Sequence, residues 1–507
     1  MGMKTKMNDT PNSENQAGSV DELLSFEEAI KFLDTSKSTL YKLLSLEEIK
    51  GVKVGRQTRF RRGDLTAYLE RGPVAISVDP SAHGELEAEL AFFKNAGSDD
   101  EEASSPQQDL SPETKIIALA NSILEFAVQS NCSDIHFDPI GSTLRLRFRI
   151  DGALHVIRQI PMSLHDSLIT RFKEVSHMNV SEKRLPQDGR FHLQSHGMSL
   201  DVRASLLPSS VGDSLVLRIL DQSAATRSLD EIGMSEPCIA LLRSSLNRPS
   251  GMIIATGPLG SGKTLLMYSC LSALNSPEVK IVTSEEPVEY ELPGVIQFQS
   301  KPRLGLALVN GLRSALGQDP DIVFCSELRD RETAEVAFDA AVKGVLLLST
   351  IFANDSLSAL VRLADMGIEP YLISSGLNTV VSTRLIRRLC PHCKATGDQE
   401  ESRSLVARLA QRSVKGGYQT SRGALFYEPV GCPNCRGTGF LGRMGIYELL
   451  VCNPKLVGQL IKCSSQDEML QLAIESGMQT LLMDGIRKAE EGETSIAEVL
   501  RVTDSRM

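Results

Sequence analysis

The sequence predicts an α/β chain of several domains organised around a phosphate-binding core. Three observations support that class. The apolar run Met252-Ile-Ile-Ala-Thr leads straight into Gly257-Pro-Leu-Gly-Ser-Gly-Lys-Thr264, a GxxxxGK[ST] loop, which opens the helical run Leu265-Leu-Met-Tyr. Two further apolar strands, Lys280-Ile-Val-Thr-Ser and Ile322-Val-Phe-Cys, deliver carboxylates at their ends: Glu285, Glu286 and Glu289 after the first, Glu327 after the second. The length of 507 residues, at roughly 150 per domain, exceeds one core and suits about three or four.

The loop carries the clearest chemistry. Glycines let backbone N–H groups turn inward around phosphate oxygens, Lys263 reaches the β/γ-phosphates, and the Thr264 hydroxyl ligates Mg²⁺. Gly257, Pro258, Leu259, Gly260, Ser261, Gly262, Lys263 and Thr264 thus form a phosphate cradle at a helix N-terminus. Glu327 is placed to hold the water shell of the metal or to orient attacking water. The carboxylates after Ser284 reach the same sheet edge, and Glu285 is read as the group that polarises the lytic water.

Composition narrows the class. Hydrophobic residues make up 41% of the chain, and no apolar run approaches the roughly 20 residues that span a bilayer. The polar N-terminus has no apolar core of a secretion signal, so a cytoplasmic protein is expected. A net charge of −10 argues against a chain coated by nucleic acid, while leaving room for a local basic patch.

Taken in order, residues 1–20 are polar and expected to be disordered. Residues 21–72 hold the helical run Leu24-Ser-Phe-Glu-Glu-Ala-Ile-Lys-Phe-Leu, a turn at Asp34-Thr35, a second amphipathic run from Ser36 to Leu44, an alternating hairpin from Val52 to Arg62, and a closing helix from Asp64. This helix-turn-helix pattern resembles the winged domain of excisionase and MerR-type DNA-binding proteins. The resemblance implies Ser36 to Lys42 in a major groove and Arg56, Arg59, Arg61 and Arg62 on phosphates; a protein-docking module with the same fold is the other reading. Residues 73–113 read as an acidic, flexible linker containing Ser98-Asp-Asp-Glu-Glu, and residues 114–225 as an α+β domain.

Beyond the core, Cys390-Pro-His-Cys393 and Cys432-Pro-Asn-Cys435 form two CxxC knuckles on either side of a long insert. Cys390, Cys393, Cys432 and Cys435 suit one tetrahedral Zn²⁺, structural because four protein ligands leave no open position. His392 reads as a bystander. Cys132, Cys238, Cys270, Cys325, Cys452 and Cys463 read as small core residues.

Ser133-Asp-Ile-His-Phe-Asp-Pro, Arg147-Phe-Arg-Ile-Asp-Gly, Lys183-Arg-Leu-Pro-Gln-Asp-Gly-Arg190, Glu286-Pro-Val-Glu-Tyr290, Glu327-Leu-Arg-Asp-Arg-Glu-Thr-Ala334 and Arg384-Leu-Ile-Arg-Arg-Leu-Cys-Pro-His-Cys393 occur in sequence order. From about residue 114 to 503 they resemble the secretion ATPases of the type II secretion and type IV pilus assembly family. The resemblance implies a RecA-like P-loop ATPase core at 226–388, a zinc module at 389–440 and a helical C-terminal domain at 441–507. It further implies ATP, Mg²⁺ and structural Zn²⁺ as cofactors, and a homo-hexamer, peripheral to the inner membrane, working with secretion or pilus platform proteins. Arg203 and Arg218 match the family's positions for arginines that complete a neighbouring subunit's site. The four-cysteine module leans the reading to export or pilus extension rather than retraction.

Departures accompany the match. Where the family has TLHTND, this chain has Thr350-Ile-Phe-Ala-Asn-Asp355, so Phe352 replaces a histidine; Val345, Ser326 and Glu286 also depart from the pattern. Phe352 neither donates a hydrogen bond nor carries charge. No domain that docks on the inner-membrane platform is recognised at the front; the helix-turn-helix stands there. The leading expectation is an ATPase motor, and the alternative is a nucleotide-binding regulator linked to DNA with weak or no turnover.

Overall fold

The computed structural model describes residues 23–32, 51–54, 57–65, 76–78, 112–195, 198–221, 227–302, 305–413, 423–463 and 465–503. The disorder expected of 1–20, the groove-reading helix from Ser36, Arg56 and most of the expected linker lie outside those residues. The chain divides into two compact units: residues 1–130, 134–147 and 156–219 make up the first, and residues 131–133, 148–155 and 220–507 the second.

At the N-terminal end, the helix Phe26–Phe32 opens on a reciprocal cap. The Glu28 N–H meets Ser25 Oγ at 3.4 Å and the Ser25 N–H meets Glu28 Oε2 at 2.8 Å. The antiparallel hairpin Gly51–Val54 and Gln57–Arg61 follows, and Ala29, Phe60 and Leu65 form a small buried core. A hairpin is therefore present where the sequence alternates. Within the expected linker, Ile76–Val78 forms a short strand parallel to residues 193–195.

A seven-stranded sheet then carries the α+β domain. Its strands run in the order Ile76–Val78, Gln187–Ser195, Met198–Pro208, Asp213–Asp221, Cys132–Ile140, Thr143–Ile150 and Ala153–Pro161. The helices Pro112–Gln129 and His165–Val175 accompany it. Alternation decides which side is buried: Leu144, Leu146 and Phe148 are covered while their intervening arginines are not.

The second unit is built on another seven-stranded sheet, in the order Ile296–Gln299, Ile281–Glu285, Ile322–Cys325, Leu346–Ile351, Gly251–Thr256, Leu377–Leu389 and Phe440–Val451. The first six strands are parallel and the last is antiparallel to its neighbour. Gly251–Thr256, Ile322–Cys325 and Leu346–Ile351 are buried at every position, as strands covered on both faces must be. Met252 and Ile254 join one apolar cluster with the helices Arg331–Val342 and Ser356–Asp365; Ile253 and Ala255 join another with the helix Lys263–Leu274.

One expectation changes here, and the inserted position of the four-cysteine segment is specified. Residues 441–507 are not solely helical, because Phe440–Val451 completes the core sheet before the helices Pro454–Leu460, Gln466–Glu475, Leu481–Glu490 and Ile496–Thr503. The four-cysteine segment is then an insertion between paired strands, since Leu389 lies opposite Phe440. A local pattern does not report a pairing across so long an insert.

Candidate functional site

The site lies at the carboxyl ends of the parallel strands, where such sheets place ligands. Gly251–Thr256 ends in the loop 257–262, and Gly262 turns into the helix Lys263–Leu274 with φ of 96°. At Gly257, φ is 148° and an added Cβ would lie 2.6 Å from the Thr383 carbonyl oxygen, so only glycine fits. Leu259 at the loop tip is 85% exposed, and Ser261 is held from behind by the Thr383 hydroxyl at 3.0 Å.

Lys263 is buried and its ammonium donates to the Gly257 and Pro258 carbonyls, both at 2.8 Å. Its Nζ also sits 4.2 Å from the centroid of the Phe352 ring. Burial pulls its pKa down to about 8, with Arg384 adding to the fall and Glu327 and Glu289 opposing it. Thr264 points its hydroxyl at Glu289 Oε1, 3.4 Å away.

The four carboxylates separate by environment. Glu285 is 1% exposed and accepts from Thr283 Oγ1 at 2.6 Å, from Gln297 Nε2 at 3.0 Å and, at very short range, from the Tyr268 hydroxyl. Burial raises its pKa and these three donors oppose the rise. Glu285, expected to polarise water, is thus placed in the interior among these donors, and Glu289 is the carboxylate beside Thr264. Glu327 follows Ile322–Cys325 and accepts from Arg329 Nε at 2.7 Å, while Arg329 Nη1 reaches Glu286 at 2.9 Å. Glu327 stands at the same carboxyl edge of the sheet as the loop after Gly251–Thr256, and its charge opposes the fall of the Lys263 pKa.

Phe352 and Asn354 follow the strand Leu346–Ile351 and line a cleft of about 350 Å³ with Gly257, Pro258, Arg362 and Asp365. Arg384 supports this wall, donating to the Asn354 carbonyl at 2.6 Å from a buried position. Tyr268, Gln297 and Arg384 were not singled out by the sequence. Tyr268 alone had a signal, lying one helical turn beyond Thr264 on the same face.

Arg203 and Arg218 lie on Met198–Pro208 and Asp213–Asp221 in the first unit. Arg218 is exposed and pairs with Asp134 at 2.9 Å. In the second unit, the sulfurs of Cys390, Cys393, Cys432 and Cys435 all lie within 4.8 Å of one another. Three of the pairs stand at 3.7 to 3.8 Å. Tetrahedral Zn–S bonds of about 2.3 Å require sulfurs about 3.8 Å apart, so the donor set fits that ion. The N–H groups of Gly431, Cys432 and Gly439 donate to these sulfurs, as outer partners of thiolate ligands do. His392 is exposed and outside the cluster.

Residues 108–501 match the family described as type II/IV secretion system protein, and residues 23–73 match a helix-turn-helix domain. Type II secretion system protein E of Xanthomonas campestris pv. campestris is 40% identical over 427 residues, 84% of this chain and 73% of that protein. The type IV pilus assembly ATPase PilB of Myxococcus xanthus is 36% identical over 448 residues, 88% of this chain and 77% of that protein. Among solved structures, the ATPase DotB of Legionella pneumophila aligns with a TM-score of 0.55 at 17% identity, covering 79% of this chain and 98% of DotB. The pilus retraction motor PilT with bound ADP aligns at 0.51 and 22% identity, covering 76% and 96%. These two likenesses establish the fold.

Proposed function

Because the chain belongs to the type II/IV secretion system protein family, we propose that it is a cytoplasmic ATPase that powers type II secretion pseudopilus or type IV pilus assembly. The observation that carries this reading is the gathering of Lys263, Thr264, Glu289 and Glu327 at one sheet edge behind a glycine loop. The loop N–H groups and Lys263 bind the phosphates of ATP; Thr264 and Glu327 would hold Mg²⁺, which would supply charge neutralisation on the transferring phosphoryl group. Glu289 orients and deprotonates the attacking water, while Glu285 fixes the helix through Tyr268.

The reading extends to a homo-hexamer at the inner membrane, in which Arg203 and Arg218 complete a neighbour's site and platform proteins receive the motion. No helix among the described residues is long and apolar enough to cross a membrane, which fits a peripheral seat. The four clustered cysteines would hold a structural Zn²⁺. A Lys263→Ala substitution is expected to lower turnover of the assembled protein by at least about 100-fold, the scale of losing a main phosphate contact. Wild-type hydrolysis that persists in that variant would overturn the reading.

A second reading is favoured by the helix-turn-helix match at 23–73: the body binds nucleotide and reports to a DNA-binding head. Arg59 and Arg61 on the hairpin would then contact phosphates. Binding of duplex DNA by the full chain with a steep salt dependence, lost on Arg59→Ala with Arg61→Ala, would support it.

A further inference from the structure

Glu448 is a buried carboxylate that the phosphate site does not use, on the strand Phe440–Val451. It lies opposite Ser382, which in turn pairs with Thr256 at the entry to the phosphate loop. Its two oxygens are shared between two helices. Oε1 accepts the Ser356 N–H at 2.8 Å and Oε2 accepts the Leu481 N–H at 3.3 Å; these are the first residues of Ser356–Asp365 and Leu481–Glu490. Both helices already have ordinary caps, Asp355 accepting from Ser358 and Thr480 from Met483. The carboxylate therefore adds a bond to each helix, and a negative charge where two N-terminal dipoles favour it.

The two helices differ in what they carry. Ser356–Asp365 supplies Ser358, Arg362 and Asp365 to the cleft wall, directly after Phe352 and Asn354. Leu481–Glu490 packs Ile486 and Ala489 against Ile496 and Val499 of the last helix. We propose that Glu448 is a positioning residue that couples the wall of the nucleotide cleft to the C-terminal helices, by holding the N-termini of Ser356–Asp365 and Leu481–Glu490 on one carboxylate.

A glutamine or a protonated carboxyl breaks this arrangement, because one acceptor is replaced by a donor facing an N–H group. Burial raises the Glu448 pKa to about 7, with Asp355 pushing the same way and the Ser356 and Leu481 bonds opposing. The charged groups that act on it are Asp355 at the helix cap and Arg384 on Leu377–Leu389; Leu481–Glu490 also carries Asp484, Arg487 and Lys488, which pair with one another, and Asp484 accepts the Tyr447 N–H. The clamp is intact above about pH 7 and loosens as the pH falls through it.

The kinetic part of this inference rests on the ATPase reading; the structural part does not. The test is amide hydrogen exchange of the full chain, with and without a non-hydrolysable ATP analogue, on wild type and Glu448→Gln. Exchange in the first turns of both helices is expected to rise about tenfold, the equivalent of one lost hydrogen bond, while Arg331–Val342 with its own Asp330 cap stays unchanged. The analogue is expected to alter exchange along Leu481–Glu490 in wild type and not in the variant. In turnover, kcat is expected to fall about tenfold with KM within about twofold, and the wild-type loss of kcat below about pH 7 is expected to vanish. Unchanged exchange at either helix, or an analogue effect that still reaches Leu481–Glu490, overturns the proposal. If exchange rises everywhere in Glu448→Gln, Glu448→Asp decides, since its shorter carboxylate reaches one helix and should loosen only the other. Absence of Lys263-dependent turnover in wild type would sink the ATPase reading alone, and exchange would still decide the clamp.

Discussion

At the residue scale, environment assigns roles that residue type does not. Glu285 and Glu289 are four positions apart and chemically identical, yet one is enclosed by Tyr268, Thr283 and Gln297 and the other faces Thr264. Glu289→Gln should therefore lower kcat by about 100-fold or more in steady-state turnover, the usual loss on removing a general base. Glu285→Gln should instead lower the thermal midpoint and spare most of the turnover, because a glutamine amide meets three donors in a dry site. Phe352 is the second case. Its ring holds the Lys263 ammonium at 4.2 Å, an attraction worth about 2 kcal/mol when desolvated and one that phosphate must displace. Phe352→His removes that competitor and adds a hydrogen-bonding group, so turnover should rise severalfold; an unchanged rate would mean that another residue already serves there.

At the scale of elements, the C-terminal helix Ile496–Thr503 is tied to the core sheet through one carboxylate. Glu498 accepts from the Arg387 N–H at 3.0 Å, from Arg387 Nη2 at 2.7 Å and from Arg501 at 2.6 Å. Burial pushes its pKa up, but the bonds from Arg501 and Arg387 outweigh it and hold the group at about 2. A depressed folded-state pKa contributes stability that is fully present above the ordinary value of 4.5 and is lost as the pH falls toward 2. Glu498→Gln should lower unfolding free energy by about 1–3 kcal/mol at neutral pH, discounted because Arg501 is more than half exposed, and should flatten the acid limb of a denaturation profile. The four-cysteine insert belongs to the same scale. Its knuckles close the gap between paired strands, so chelation of the proposed Zn²⁺ should lower the thermal midpoint and raise exchange around Leu389 and Phe440.

At the scale of the whole molecule, the family reading predicts that sites are completed between subunits. Mixing Lys263→Ala with Arg218→Ala, each inactive alone, should restore a fraction of the turnover, because some mixed sites pair an intact loop with an intact arginine. No recovery at any ratio would place Arg218 in a role within its own subunit, where it already pairs with Asp134. Much of this architecture was legible from sequence alone. The strand–glycine loop–helix of 251–274 is read from local spacing, since its conformation is demanded by glycine backbones and an apolar period. The paired CxxC knuckles and the Glu327 strand end are equally local. What only the tertiary structure decided depends on partners far apart in the chain: Phe440–Val451 as the seventh strand of the core sheet, Tyr268 and Gln297 around Glu285, and Glu448 between two helix N-termini. A residue's neighbours along the chain fix its backbone preference, whereas its burial and hydrogen-bond partners, which set charge and role, are supplied by segments that the sequence order does not place beside it.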